Sequence, residues 1–210
     1  MATLADIKDR IATEMERGDL EDELASLLAT HIERACEFYA DRKFWFNSIV
    51  TTAVTTPSVA TVAIPATVRI VERVTAYECD LQEAQLDDLP AETGAGTPRL
   101  YAYYNDSLRL YPTPSGAITL TVYGVAQIDA PDDDADSNAW TNEAQDLIVG
   151  HVKMALYRGA LRDPEGAQMA IGEVQDALGR LQRETARRLR TPLRMRERIT
   201  RPFGQVMGGV

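Results

Sequence analysis

The spacing of apolar residues changes twice along this chain of 210 residues, and that change most constrains its fold. In residues 3–17 apolar side chains recur at spacings of three and four, as on one face of a helix. From Ser48 onward β-branched residues dominate, and residues 67–77 and 118–122 alternate in polarity as strands do. The helical spacing returns after Thr141. The sequence therefore predicts helices on both sides of a β segment.

The fold class expected from these patterns is α+β and mainly α, with four helices packed as one bundle. Gly18 and Asp19 end the first helix and cap the second, which predicts an antiparallel helical hairpin. Asp163 and Pro164 mark the start of the fourth helix. About five or six short antiparallel strands are expected to form a small barrel or sandwich between helices two and three.

Four units follow from this organisation. They are a helical hairpin, an antiparallel β insertion, a second helical hairpin and an extended basic tail, with boundaries at 1–43, 44–128, 129–189 and 190–210. Pro192 and Pro202 break any long helix in the tail, and its residues have almost no core-forming pattern. We expect the tail to become ordered only on a partner.

Charge is distributed unevenly along the chain. The total is 22 basic against 32 acidic residues, a net charge of −10, yet nine arginines and only two acidic residues lie between 180 and 201. Such asymmetry predicts that the basic segment binds a partner. Three interpretations stay open: a solvated helix face, a nucleic-acid contact and a protein anchor. Apolar residues among the arginines, Phe203 and Met207 included, favour pockets on a protein.

An acidic stretch gives the strongest metal-like signal. Asp132, Asp134, Asp136 and Glu143 occupy positions 1, 3, 5 and 12 of a calcium-loop template. However, Ser137 stands where that template needs glycine for a sharp turn. Acidic residues also concentrate in turns and at helix starts for their own reasons. We therefore predict no bound metal and keep these four carboxylates as a weak cation candidate.

Signals for catalysis or membrane insertion are missing from the sequence. His31 and His151 both lie within predicted helices, and no nucleophile elbow, phosphate-binding loop or dinucleotide motif is present. No apolar run approaches the ~18 residues of a membrane-spanning helix. The sequence therefore predicts no enzyme, no catalytic residue, no cofactor and no membrane partner.

Aromatic residues form two groups of interest. Phe44, Trp45 and Phe46 follow the second helix, where such a cluster is typical both of a core and of an anchor between subunits. Tyr101 and Tyr103 lie on a predicted strand. Two interpretations of this pair are a stacking platform for bases and a ladder of cross-strand aromatic contacts. The ladder is favoured because an acidic surface repels phosphate. All five are candidates for a subunit or tail interface.

Four stretches of the sequence, taken together and in order, carry a resemblance. They are FYADRKFWFN at 38–47, PATVRIVERVTAY at 65–77, GTPRLYAYYNDSLRLYPTPSGAITLTVYG at 96–124 and DSNAWTNEAQDLIVGHVKMALYRGALRDPEGA at 136–167. Together they resemble the head–tail adaptor (head-completion, connector) proteins of tailed bacteriophages, especially of the short-tailed type. The resemblance covers about residues 1–185.

The resemblance implies a structural connector of the virion neck, assembled in the cytoplasm of the bacterial host. It implies a ring of twelve beneath the portal protein, with the C-terminal tail inserted into the portal and tail or nozzle proteins on the other face. Genomic DNA is expected to pass through the channel without sequence-specific binding, because an acidic wall repels phosphate. The residues expected to contact the portal are Arg187, Arg188, Arg190, Arg194, Arg196, Arg198, Arg201, Phe203 and Met207. The alternative is a small nucleic-acid-binding or packaging-associated protein acting through these arginines.

Overall fold

Helices flank the strands in the computed structural model, which describes residues 1–16, 25–90 and 94–189. The helices of this described part are α1 (Leu4–Glu14), α2 (Ala25–Ala40), α3 (Ala139–Glu143), α4 (Gln145–Gly159) and α5 (Pro164–Arg188). Two short 3-10 helices span Trp45–Asn47 and Leu86–Asp88. The strands all lie between α2 and α3, so the chain leaves the helical part once and returns once.

The starts of α1 and α5 follow from side-chain caps. The Thr3 hydroxyl accepts a hydrogen bond from the Asp6 amide, and the Asp6 carboxylate accepts one from the Thr3 amide at 2.8 Å. Asp163 accepts hydrogen bonds from two amides in the first turn of α5, and Pro164 stands at its first position. These caps satisfy N–H groups that a helix start leaves without partners.

Helix α4 is the centre of the helical part. Helices α1, α2 and α5 all pack against it, and seven of its residues are buried: Leu147, Ile148, Val149, Gly150, Val152, Lys153 and Leu156. A Cβ atom at Gly150 would lie 3.2 Å from the Cγ2 atom of Val174, so glycine allows the close approach of α5. Phe44 and Trp140 belong to the same core.

Ten strands of the described residues form three sheets. They are β1 (Ser48–Val54), β2 (Thr61–Ala63), β3 (Val68–Ala76), β4 (Cys79–Asp80), β5 (Gln82–Glu83), β6 (Ala95–Gly96), β7 (Leu100–Tyr104), β8 (Ser107–Tyr111), β9 (Thr113–Pro114) and β10 (Thr119–Ala126). The first sheet has the order β1-β10-β3-β4 and is antiparallel. The second has the order β2-β8-β7-β5, and β6 pairs with β9 in parallel.

The two four-stranded sheets are joined where the chain passes from β4 to β5. Only Leu81 separates these strands, and its amide donates to the Val74 carbonyl at 2.9 Å. Leu81 is buried in a second core, which the inner faces of both sheets enclose with Val74, Tyr101, Leu108, Leu110, Leu120 and Val122. The β part therefore has a core of its own, and its sheets share one continuous stretch of chain.

Gly124 fixes the pairing of the two central strands. The register of β10 against β3 shifts between Tyr123 and Gly124 and again between Val125 and Ala126. An added Cβ atom at Gly124 would lie 2.0 Å from the carbonyl oxygen of Ile70. Only glycine allows the backbones to come this close at the irregularity.

The prediction of a mainly α four-helix bundle is wrong. The described part of the chain is 43% helix and 26% strand, arranged in five helices and about ten strands in three sheets. The strand content exceeds the prediction because the short strands β4, β5 and β6 exist only through pairing with β3, β7 and β9.

Two further boundaries differ from the sequence-based expectation. The sequence pattern places the return of helical spacing after Thr141, whereas Asn138 caps α3 and the helix breaks at Ala144 before α4. Gly18 and Asp19, the predicted link of the first hairpin, lie outside the described residues. In the described part of the chain, no helix is both long and apolar enough to span a bilayer.

Candidate functional site

The C-terminal end of α5 is held against Trp45, which lies on the 3-10 helix before β1. The Trp45 amide donates to the Thr185 hydroxyl at 3.1 Å, and the Arg188 guanidinium lies 3.7 Å from the centre of the Trp45 ring. Buried Asn47 shapes the 3-10 turn, since its side-chain oxygen accepts from the Phe44 amide at 2.7 Å. The basic end of the last helix is thus fixed to the junction of the two cores.

Glu184 completes this arrangement. Its carboxylate accepts hydrogen bonds from Arg187 at 2.6 and 2.9 Å and from Arg188. These two guanidinium groups lower the pKa of Glu184 to about 2, so it stays ionised. Trp45, Arg188, Glu184, Asp146 and Arg180 all line a cleft of about 200 Å³. The cleft carries both signs of charge, as in a surface that makes polar protein contacts.

The residues predicted to contact the portal divide into two sets. Arg187 and Arg188 lie in the last turn of α5, where the Arg187 side chain is 74% exposed and the Arg188 side chain is 47% exposed. The others lie outside the described residues: Arg190, Arg194, Arg196, Arg198, Arg201, Phe203 and Met207. Of the residues predicted to contact the portal, the structure therefore describes only Arg187 and Arg188.

The five aromatic interface candidates have different environments. Phe44 is 1% exposed and Tyr101 is 2% exposed, so both side chains are part of the cores. Burial, with Glu83 nearby, raises the pKa of Tyr101 to about 12. Trp45 and Phe46 are half-buried with their rings 5.7 Å apart. Tyr103 is partly exposed, and its hydroxyl donates to the Val71 carbonyl at 2.6 Å.

The acidic loop before α3, residues 132–138, is bonded to the start of α1. The Leu4 amide donates to the Asp136 carbonyl at 3.0 Å, and the Asp136 carboxylate accepts from the Asp132 and Asp133 amides. The Asp134 carboxylate pairs with Lys8 at 2.5 Å. Within residues 1–16, 25–90 and 94–189, no group of three or more histidine, cysteine, aspartate or glutamate side chains could hold a metal ion. The structure does not bring the four candidate carboxylates together, Glu143 included.

A buried ion network, missed by the sequence analysis, joins α1, α4 and α5. Lys153 is only 7% exposed and donates to Glu14 at 2.9 Å and to Glu173 at 2.8 Å. Arg10 links Glu14 to Asp146. Burial opposes the charge on Lys153, but the two carboxylates outweigh it and raise its pKa. The available signal was a lysine between Val149, Val152 and Leu156 on the apolar side of α4.

His151 is part of an aromatic contact between α4 and α2. Its Nδ1 atom lies 3.1 Å from the Tyr39 hydroxyl, and its ring lies 5.1 Å from that of Phe38. Burial, followed by the charges of His31 and Arg158, lowers the pKa of His151. Burial, followed by the charge of Arg34, also lowers the pKa of His31. Both shifts favour the neutral imidazole, and His151 packs between Phe38 and Tyr39.

A comparison with protein families identifies the class of protein to which this fold and this basic helix end belong. The chain belongs to the SU10 adaptor protein family, whose family model matches residues 2–196. No curated protein matches the chain. Membership confirms the prediction of a head–tail adaptor of a tailed bacteriophage, and the short-tailed type stays a prediction. The chain is thus a structural component of the virion at the head–tail junction, and this family indicates a non-enzymatic protein.

Proposed function

We propose that this adaptor forms a ring of twelve copies that docks on the portal protein through residues 190–210. The other face of the ring receives tail or nozzle proteins, and the genome passes through the central channel. The observation that carries this proposal is the fixed position of the α5 end, because Trp45 and Thr185 give the basic segment a defined point of departure.

Chemistry supports a protein partner for the basic end. Arginine forms bidentate pairs with carboxylates, as Arg187 already does with Glu184. A segment that orders on binding can wrap into a groove, at the cost of its ordering entropy. Phe203 and Met207 would then fill apolar pockets, which supply most of the affinity in such contacts.

The acidic body suits a channel for DNA. The chain carries a net charge of −10 although residues 180–201 are basic, so the remaining surface is strongly negative. Like charge repels phosphate and lets a genome slide without adhering to the wall. Replacing the carboxylates that face the channel with amides should slow DNA passage, and unchanged ejection would contradict this role.

The first test is co-sedimentation with the purified portal ring. The full chain should bind to saturation and appear as a coaxial ring in electron-microscopy class averages, whereas a chain truncated after Leu189 should not bind. A matched pair of variants separates position from charge. Arg194, Arg196 and Arg198 changed to glutamine should weaken binding, and the same change at the exposed Arg99, Arg158 and Arg162 should not.

The alternative function is nucleic-acid binding through the same arginines. It rests on the nine arginines of residues 180–201. Such binding falls steeply as salt rises, because each neutralised phosphate releases counterions. Failure to bind the portal at any ratio, together with salt-sensitive DNA binding that needs residues 190–210, would replace the connector proposal by this one.

A further inference from the structure

Strand β1 is an unprotected edge of the first sheet. It pairs only with β10, and its ladder runs from Ser48 to Val54 without a register shift. Val50 is 60% exposed and Val54 is 62% exposed, and Thr52 between them is exposed as well. Its sequence SIVTTAV contains no charge, no proline and no glycine. Proteins usually protect an edge of this length with charges, proline or a bulge.

The hydrogen-bonding groups of this edge can be assigned from the end of the ladder. The Thr55 amide donates to the Ile118 carbonyl at 2.9 Å. Because bonded residues alternate in an antiparallel pair, Ala53 and Thr51 also face β10. The N–H and C=O groups of Val50, Thr52 and Val54 therefore project from the open edge, where no other strand of the described residues pairs with them. Unpaired backbone groups and exposed apolar side chains thus occur at the same three residues.

The surface around this edge is close to neutral in an acidic chain. The outward neighbours of β1 on β10 are Thr119, Thr121 and Tyr123. Arg73 lies 3.9 Å from the centre of the Tyr123 ring, and Asp80 balances its charge at 3.5 Å. Two copies with a net charge of −10 repel each other over most of their surface. A second copy can approach this edge without bringing like charges together.

We propose that two copies of the chain pair through β1, antiparallel about a two-fold axis at Thr52. In this register Val50 lies opposite Val54 of the second copy, and the two Thr52 residues face each other. The residues whose N–H and C=O groups face the open edge then bond to one another. Valine pairs on either side of a threonine pair are self-complementary, as a two-fold contact requires. The two first sheets become one continuous sheet of eight strands.

This pairing goes beyond the proposed ring. A two-fold contact closes after two copies, whereas neighbours in a ring meet through two different surfaces. The β1 pair is therefore a state of the free protein, and neither its formation nor its test depends on portal docking.

The test measures the mass of the full chain by sedimentation from about 1 to about 100 µM, the range in which modest interfaces dissociate. The unchanged chain should be a dimer at the upper end. Thr52→Lys places two ammonium groups directly opposite each other and should weaken the dimer about tenfold or more. The matched control is Thr119→Lys, which adds the same charge to the same face on the neighbouring strand and should leave the dimer intact.

A charge exchange separates pairing from a general loss of structure. Thr52→Asp alone should also be monomeric, but an equimolar mixture with Thr52→Lys should restore a dimer that contains one copy of each, because opposite charges then face each other. A monomeric unchanged chain, a dimer insensitive to Thr52→Lys, or a mixture that stays monomeric while both variants keep the native circular dichroism would each overturn the proposal.

Discussion

The guanidinium of Arg188 stacks on the ring of Trp45 at 3.7 Å, across the junction of α5 and the β part. The Trp45 amide also donates to Thr185 one turn earlier on α5. These contacts tie the last turn of the last helix to the first residues after α2. A force applied through residues 190–210 would therefore reach the segment between α2 and β1.

A double-mutant cycle on Trp45→Ala and Arg188→Ala should give a coupling energy of about 0.5–1 kcal/mol, since a partly exposed cation–π pair has this strength. Urea unfolding of the four proteins measures it. Additive effects within about 0.3 kcal/mol would mean that the stacking adds nothing to stability.

Removal of the buried ammonium group should be costly. Lys153→Ala is expected to lower the free energy of unfolding by about 2–3 kcal/mol, because it leaves Glu14 and Glu173 without their shared partner. The value lies below that of a fully enclosed pair because the Glu173 side chain is 50% exposed. Lys43→Ala, which breaks the more exposed pair with Glu72, serves as the control and should cost below about 1 kcal/mol. Equal losses would contradict a special role for Lys153.

Two glycine-to-alanine changes should have opposite effects. Gly124→Ala forces a Cβ atom against the Ile70 carbonyl and should destabilise the protein by about 3 kcal/mol or more. Gly172→Ala, on an open face of α5, should stabilise it by up to about 1 kcal/mol. Thermal unfolding measures both, and a tolerated Gly124→Ala would show that β10 and β3 separate more easily than the structure implies.

Stability should decline as pH falls through 6.5. The unfolded chain protonates His151 near 6.5, whereas burial lowers the pKa of His151 in the folded protein, so the unfolded state takes up the proton first. The pKa values of Glu14 and Asp146 are also lowered in the folded protein, but protonation of these carboxylates reduces stability only at more acidic pH. Urea midpoints from about pH 8 to pH 5 measure the effect, and His151→Gln should reduce the slope, leaving the part due to His31, whose pKa is also lowered. An unchanged slope in that variant would assign the effect to other groups.

Calcium should not stabilise the protein. The Asp134 carboxylate is paired with Lys8, and the Asp136 carboxylate accepts two backbone amides of its own loop. Since only a ligand of the native state raises the melting temperature, about 5 mM calcium should leave it unchanged within about 1 °C. A melting temperature raised by several degrees with calcium and not with magnesium would show that the loop binds calcium.

Predictions that depend on a few neighbouring residues agree with the structure. The alternating residues at 67–77 and 118–122 form β3 and the start of β10. The start of α5 at Asp163 and Pro164 follows from the same kind of local rule. Caps, turns and alternating burial each depend on a few consecutive residues, so one sequence suffices to predict them.

Features that depend on distant residues were missed. Lys153 and Glu14 are 139 positions apart, and no local pattern links them. The short strands β4, β5 and β6 are strands only because β3, β7 and β9 lie beside them. For the site, the aromatic cluster and the arginines were both singled out, but the contact that joins Trp45 to Arg188 was not. Their separation in sequence leaves such a contact to tertiary packing.

The position of α4 at the centre of the helical part has a consequence for synthesis on the ribosome. The Ala2 amide bonds to the Asn142 side chain, 140 residues later, and Tyr39 meets His151, 112 residues later. The β part, by contrast, completes its core within residues 48–126. Helices α1 and α2 therefore leave the ribosome before the helix on which they pack, whereas the strands that follow α2 complete their own core before α4 is made. The core of the helical part can form only after α4, in the last third of the chain, has been made.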